Sequence, residues 1–229
     1  MFIVLEGLDG AGKSTQVEKI TKYFNQKGLK TKFIHFPETD SPIFGELVAK
    51  FLRGELGSNQ QVNPHLVALL YAGDRNNSKE KIQQWLSEDY VVIADRYVFS
   101  NIAFQCAKLG TIHEQDRLAN WILEMEYDYF GIPKPDLNIF LDVPPSFTEK
   151  QLTQNRSGDD RNYLNGQSDI HEQDLNFQQQ VRFIYMNQVA IREKFKMVNC
   201  ANPSNEMGTA DEIFDKILPF IEELWVIKK

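Results

Sequence analysis

The chain has 229 residues, 42% hydrophobic and 25% charged, which suits one α/β domain with a well-buried core. A net charge of −7 and a pI near 5.2 leave no basic footprint for a nucleic-acid polymer or an anionic membrane. No apolar run approaches the roughly 18 residues of a membrane span, the N-terminal one is too short for a secretory leader, and the two cysteines, Cys106 and Cys200, have no paired spacing, so the expected setting is a reducing cytoplasm.

The first predicted element is a buried strand from Phe2 to Glu6, followed at once by Gly7-Leu8-Asp9-Gly10-Ala11-Gly12-Lys13-Ser14-Thr15 and a helix over Gln16 to Asn25. The glycines let the chain turn so that successive backbone N–H groups converge on an anion, and the helix start behind them adds partial positive charge. Lys13 can reach β- and γ-phosphates, and the Ser14 hydroxyl is suited to Mg²⁺. A glycine-rich turn without a ligand would not need the complete Gly-x4-Gly-Lys-Ser pattern between a strand and a helix. The segment reads as a nucleoside-triphosphate site.

A second strand, Thr31 to His35, runs into Phe36-Pro37-Glu38, where Phe36 either walls a base pocket or joins the core. Helices are predicted from Ser41-Pro42, and from Asn63-Pro64 through Leu66, Leu69 and Leu70 toward Trp85. Tyr71 and Arg75, four apart, share a face of the latter; an aromatic plane beside a guanidinium suits a pyrimidine, and packing plus solvent is the plainer account. A third strand, Val91 to Ala94, ends in Asp95-Arg96. Asp95 at such a strand end could hold Mg²⁺ through water, and Arg96 a second phosphate; an ion pair capping the next helix is the rival.

Further helices fit Gln115 to Tyr127, Pro145 to Gln154, Glu172 to Phe195 and Thr209 to Trp225, the last with a kink or break at Pro219. Strands fit Leu137 to Asp142 and, more weakly, Lys196 to Asn199. Residues 155 to 174 are polar and charged, either a solvated loop or a mobile lid. The alternation of short apolar strands with helical stretches predicts a parallel sheet with helices on both faces. The four histidines have no metal-ligand spacing.

Five segments together carry a resemblance: GLDGAGKST, the FPE of Phe36 to Glu38, LLYAGDR over Leu69 to Arg75, DRYVFSNIAF over Asp95 to Phe104, and PKPDLNIFLDV over Pro133 to Val143. In this order and spacing, over more than half the chain, they resemble the thymidylate kinases. The resemblance implies the three-layer P-loop kinase fold: one domain over 1–229, a five-stranded parallel sheet and a short lid at about 155–171. It implies transfer of the ATP γ-phosphoryl group to dTMP with Mg²⁺, and a homodimer. Asp9 then corresponds to the carboxylate that reaches the acceptor sugar and Arg96 to the clamp on its phosphate. Tyr71 corresponds to the ring stacked on thymine, and Arg75 to the reader of its O4. Ser100, Asn101 and Phe104 fall where the base is contacted and a 2′-hydroxyl excluded, and Phe36, Glu38 and Arg53 near the same pocket. Arg156 and Arg161 are the lid candidates for the transferring phosphate, since Gly10 stands where some members carry a loop arginine. Many members follow FPE with an arginine; here it is Thr39.

Two rivals stay open at this level. One is another nucleoside monophosphate kinase, of the UMP/CMP type, which would lack the combination of Tyr71, Arg75 and DRYVFSN. The other is a switch ATPase or GTPase acting through partners. Pro133-Lys134-Pro135-Asp136 is a weak guanine-reading pattern, because it precedes a strand and lacks the Asn.

Overall fold

The structure is a computed structural model describing residues 1–153, 164, 170 and 174–227. Five strands form one all-parallel sheet: β1 (Phe2–Gly7), β2 (Thr31–His35), β3 (Val91–Asp95), β4 (Leu137–Asp142) and β5 (Phe195–Asn199), in the order β2-β3-β1-β4-β5. The helices are α1 (Lys13–Gln26), α2 (Phe44–Leu52), α3 (Pro64–Asn77), α4 (Lys79–Ser87), α5 (Val98–Cys106), α6 (Ile112–Leu123), α7 (Pro145–Thr153), α8 (Leu175–Ala190) and α9 (Ala210–Ile227), with a π-helical segment at Glu124–Tyr129. The expected α/β class and parallel sheet are what is found.

Strand alternation explains the two cores. On one face, Phe2, Val4, Val92, Ala94 and Phe140 pack against side chains of α5, α6 and α8. On the other, Ile3, Leu5, Ile93, Ile139 and Leu141 meet Val17, Ile20 and Phe24 of α1 and Ile213, Ile217 and Ile221 of α9. All six residues of β1 are buried because it is the central strand, covered on both faces. The chain leaves β1 toward β2 but leaves β3 toward β4, so the order reverses between the neighbours β1 and β3. A crevice opens beyond their carboxyl ends, where such sheets bind ligands. A third small cluster, Val48, Phe51, Leu52 and Val67, joins α2 to α3.

Several boundaries differ from the expected ones. The stretch from Asn63 to Trp85 is two helices, α3 and α4, parted at Ser78. The N-terminal signal itself held: Asn63 accepts a hydrogen bond from the His65 N–H at 2.9 Å, with Pro64 in the first turn. α2 begins at Phe44, because the Ser41 hydroxyl is bonded to Asp74 of α3 at 2.9 Å instead of capping it. α5 has no counterpart among the periodic segments: all nine of its residues are buried, so it has no polar face to reveal a 3.6-residue period. α8 ends at Ala190, before Phe195 enters β5. α9 runs through Pro219 without a break; Pro219 is exposed, so the carbonyl it leaves unpaired can face water.

Candidate active site

At the carboxyl edge of the sheet, β1 delivers the loop from Gly7 to Thr15. Gly12 has φ 79° and precedes α1 with no side-chain cap on that helix, so the first-turn N–H groups remain open toward an anion. Lys13 is buried, donates to the Leu8 carbonyl at 3.1 Å and lies 3.8 Å from Asp95 Oδ1. Burial, then the nearby Arg96, lower its pKa, against the attraction of Asp95, Asp9 and Glu6. A lysine so placed lacks full countercharge and would gain it from a polyphosphate.

Asp95 sits level with Leu5 and His35 in the sheet register. Burial alone would raise its carboxyl, but Lys13, His35 and Arg96 outweigh that and hold it below the usual value. Its Oδ1 is buried with no hydrogen-bond partner among the described residues, and Oδ2 lies 3.5 Å from His35 Nδ1. The rival picture of an Asp95–Arg96 pair capping the next helix does not hold. Arg96 takes a φ of 67°, which turns the two neighbouring side chains apart. Its guanidinium donates to Asp9 Oδ1 at 2.7 Å and to Ser100 Oγ at 3.1 Å, and lies 5.1 Å from the centre of the Phe104 ring. Burial opposes its charge, yet Asp9 and its other anionic neighbours raise its pKa, so it stays a cation.

The group that caps α5 is Glu6, the residue at the end of the predicted first strand. Its carboxylate accepts from the backbone N–H of Tyr97 at 3.0 Å and of Ser100 at 3.2 Å, from Tyr185 Oη at 3.1 Å, and from Ser100 Oγ at short range. Burial raises its pKa against the Ser100 hydroxyl, Arg96, the Tyr185 hydroxyl and the Ser100 N–H. A carboxylate closing an apolar run was the available signal. Tyr185, 179 residues away on α8, offered none.

Asn101 and Phe104 also lie on α5; Asn101 donates to the Ala68 carbonyl of α3 at 3.0 Å, and the Phe104 ring lies 6.1 Å from that of Phe177 on α8. Arg75 is fully buried and gives Nε and Nη2 to Glu126 at 2.5 and 2.7 Å; Asn101 Nδ2 reaches the same carboxylate at 2.9 Å, and Asn101 Oδ1 is buried with no hydrogen-bond partner among the described residues. Two of the Arg75 donors are thus committed to Glu126, a partner no local pattern announced. Tyr71, on the same face of α3, is half-buried against the α2–α3 cluster. The structure therefore brings together Asp9, Lys13, Asp95, Arg96, Ser100 and Phe104, with Asn101 of the same helix joined to Arg75 through Glu126.

Three further expected site residues have protein partners in the structure. Phe36 lies in the core, 5.7 Å from the Tyr97 ring. Glu38 is held by the Ser78 hydroxyl and by Lys81 at 2.8 Å. Arg53 closes α2 and pairs with Glu55 at 2.5 Å. Arg156 and Arg161, and the expected lid apart from Leu164 and Ile170, lie outside the described residues.

Comparison with known proteins agrees with this geometry. The family model described as "Thymidylate kinase" matches residues 5–210. A thymidylate kinase of Mycobacterium tuberculosis is 34% identical over 188 residues, covering 81% of this chain and 84% of its own. One from Caldicellulosiruptor saccharolyticus is 32% identical over 224 residues, covering 97% and 96%. Among solved structures, a thymidylate kinase from Candida albicans superposes with a TM-score of 0.71 at 24% identity, covering 97% of this chain and 91% of that one.

Proposed function

The chain belongs to the thymidylate kinase family, and on that premise we propose that it transfers the γ-phosphoryl group of ATP to dTMP, giving dTDP and ADP. The observation that carries this reading is the Asp9–Arg96 contact at 2.7 Å, which joins the phosphate loop to the acceptor half of the cleft. Two polyanions must be held in line while their repulsion is neutralised, and little covalent help is needed. Lys13 and the open N–H groups of α1 serve the donor. Arg96, aimed by Asp9 and Ser100, serves the acceptor phosphate. Tyr71 supplies a stacking plane, Phe104 an apolar wall beside the sugar, and Asn101 Oδ1, without a hydrogen-bond partner among the described residues, an acceptor for a pyrimidine N–H. In the Glu126 pair Arg75 retains Nη1, which is enough for one bond to a base carbonyl.

Mg²⁺ fits the donor set. Asp95 presents a buried oxygen without a hydrogen-bond partner among the described residues, and Ser14 follows Lys13 in α1. One carboxylate and one hydroxyl completed by phosphates and water is the ligand pattern Mg²⁺ favours. When bound it would offset negative charge on the β- and γ-phosphates. One domain over 1–229, a homodimer and a cytoplasmic setting complete the proposal; the buried free thiols Cys106 and Cys200 suit a reducing compartment, and no helix among the described residues is long and apolar enough to cross a membrane.

A coupled assay of ADP release across nucleoside monophosphates tests the function. dTMP should be preferred over dUMP, with UMP poor; equal rates for UMP and dTMP would remove Asn101 and Phe104 as base and sugar readers and favour a UMP/CMP-type kinase.

A further inference from the structure

The contacts around Glu6 converge on the acceptor clamp. Glu6 is fully buried on β1, one residue before the phosphate loop, and it binds the first turn of α5 through the Tyr97 and Ser100 N–H groups. Its Oε2 accepts from Ser100 Oγ, and that same oxygen accepts from Arg96 Nη1 at 3.1 Å. Tyr185 of α8 closes the ring: its hydroxyl lies 2.8 Å from Ser100 Oγ and donates to Glu6 at 3.1 Å. A serine hydroxyl has a single proton. With that proton given to Glu6, a lone pair of Ser100 is left toward Arg96, and the guanidinium is oriented without being consumed.

We propose that Glu6 is a positioning residue for dTMP binding: by polarising Ser100 and anchoring the start of α5, it fixes the Arg96 guanidinium where the acceptor phosphate docks. The inference rests on the reading of Arg96 as that phosphate clamp. Phosphate binding by a pre-aimed fork loses less conformational entropy than binding by a free one, so the benefit falls on dTMP and not on ATP. Glu6 reaches no substrate itself. Its neighbour Asp9, by contrast, bonds the other arm of the same guanidinium directly. The carboxylate and its hydroxyl partners thus set one arm, and Asp9 the other.

The test measures dTMP and ATP dissociation constants calorimetrically in the full-length protein, for Glu6→Gln in the wild-type and Arg96→Met backgrounds, with circular dichroism to verify folding. Glu6→Gln should weaken dTMP about tenfold, the worth of a hydrogen bond to a charged group, and leave ATP within about twofold. In the Arg96→Met background the same change should shift dTMP by less than about twofold, because the groups act as a unit. An equal loss in both backgrounds, or none in the wild type, overturns the proposal. If Arg96→Met leaves dTMP affinity untouched, the reading of Arg96 itself fails, and the proposal with it; if Arg96→Met weakens dTMP and Glu6→Gln does not, only the proposal fails. Should Glu6→Gln not fold, Tyr185→Phe decides by the same two-background comparison, with a dTMP loss of about threefold expected in the wild type.

Discussion

Arg96 illustrates how one residue's backbone carries a site. A positive φ at a bulky residue costs on the order of 1 kcal/mol, and at Arg96 it swings the guanidinium away from Asp95 and over the phosphate loop. In the turn that follows α5, the Lys108 ammonium is buried 4.8 Å from the centre of the Phe51 ring, with no hydrogen-bond partner among the described residues. Burial lowers the Lys108 pKa from 10.5 to about 7. The unfolded chain then binds more protons than the folded one between those values, so stability should rise with pH across that window, and the full cost of the buried charge falls below about pH 7. Lys108→Met is expected to stabilise the protein by a few kcal/mol, on the order that linkage predicts, at about pH 6, and much less at about pH 10. Urea unfolding at the two pH values measures this; a gain independent of pH would contradict it.

At the scale of elements, the acceptor half depends on how closely α2 and the turn after β2 approach each other. A Cβ added at Gly45 would overlap the Glu38 carbonyl oxygen, a backbone atom tied by the Glu38 N–H to Asp74 of α3 at 2.9 Å. Gly45→Ala is expected to cost about 1–3 kcal/mol, as overpacking does. It should also raise the KM for dTMP more than that for ATP, because α2 packs on α3, which carries Tyr71 and Arg75, whereas α1 carries the donor site. Denaturant unfolding and two-substrate kinetics check both parts; an equal rise in the two KM values would separate α2 from the acceptor pocket. α5 is the opposite case. Its first turn is held by Glu6 of β1 and its side chains are buried all round, so packing rather than amphipathic pattern defines it.

For the whole molecule, two expectations extend beyond a single chain's core. Leu66 and Leu69 of α3 and Trp121 of α6 are exposed large apolar side chains, and the His65 and Trp121 rings, 5.0 Å apart, join the two helices. An apolar face of this kind supports the proposed homodimer. Light scattering should give a dimer mass for the native protein and a monomer mass for a Leu66→Asp/Trp121→Asp variant of unchanged helicity; a native monomer refutes it. The second expectation concerns the lid. An arginine on the transferring phosphate can be worth about 10³–10⁵ in rate, and Arg156→Ala or Arg161→Ala should show such a loss in turnover. Near-native rates for both would leave that role to another group.

Local pattern alone determined the phosphate loop, the five strands and the α/β alternation. Each is encoded within a few neighbouring residues: Gly7 to Thr15 by its glycines and lysine, β1 by an unbroken apolar run, α3 by Asn63-Pro64. The motif order further pointed to the family and to Arg96, Asn101 and Phe104. Only the folded chain decided what those groups are bonded to. Glu6 with Tyr185, Arg75 with Glu126, and Arg96 with Asp9 are partners 179, 51 and 87 residues apart. Nor could periodicity find α5, buried on every side. A buried charge must find a countercharge or donor wherever the fold supplies one, and that choice belongs to the packing of distant elements, not to the residues on either side.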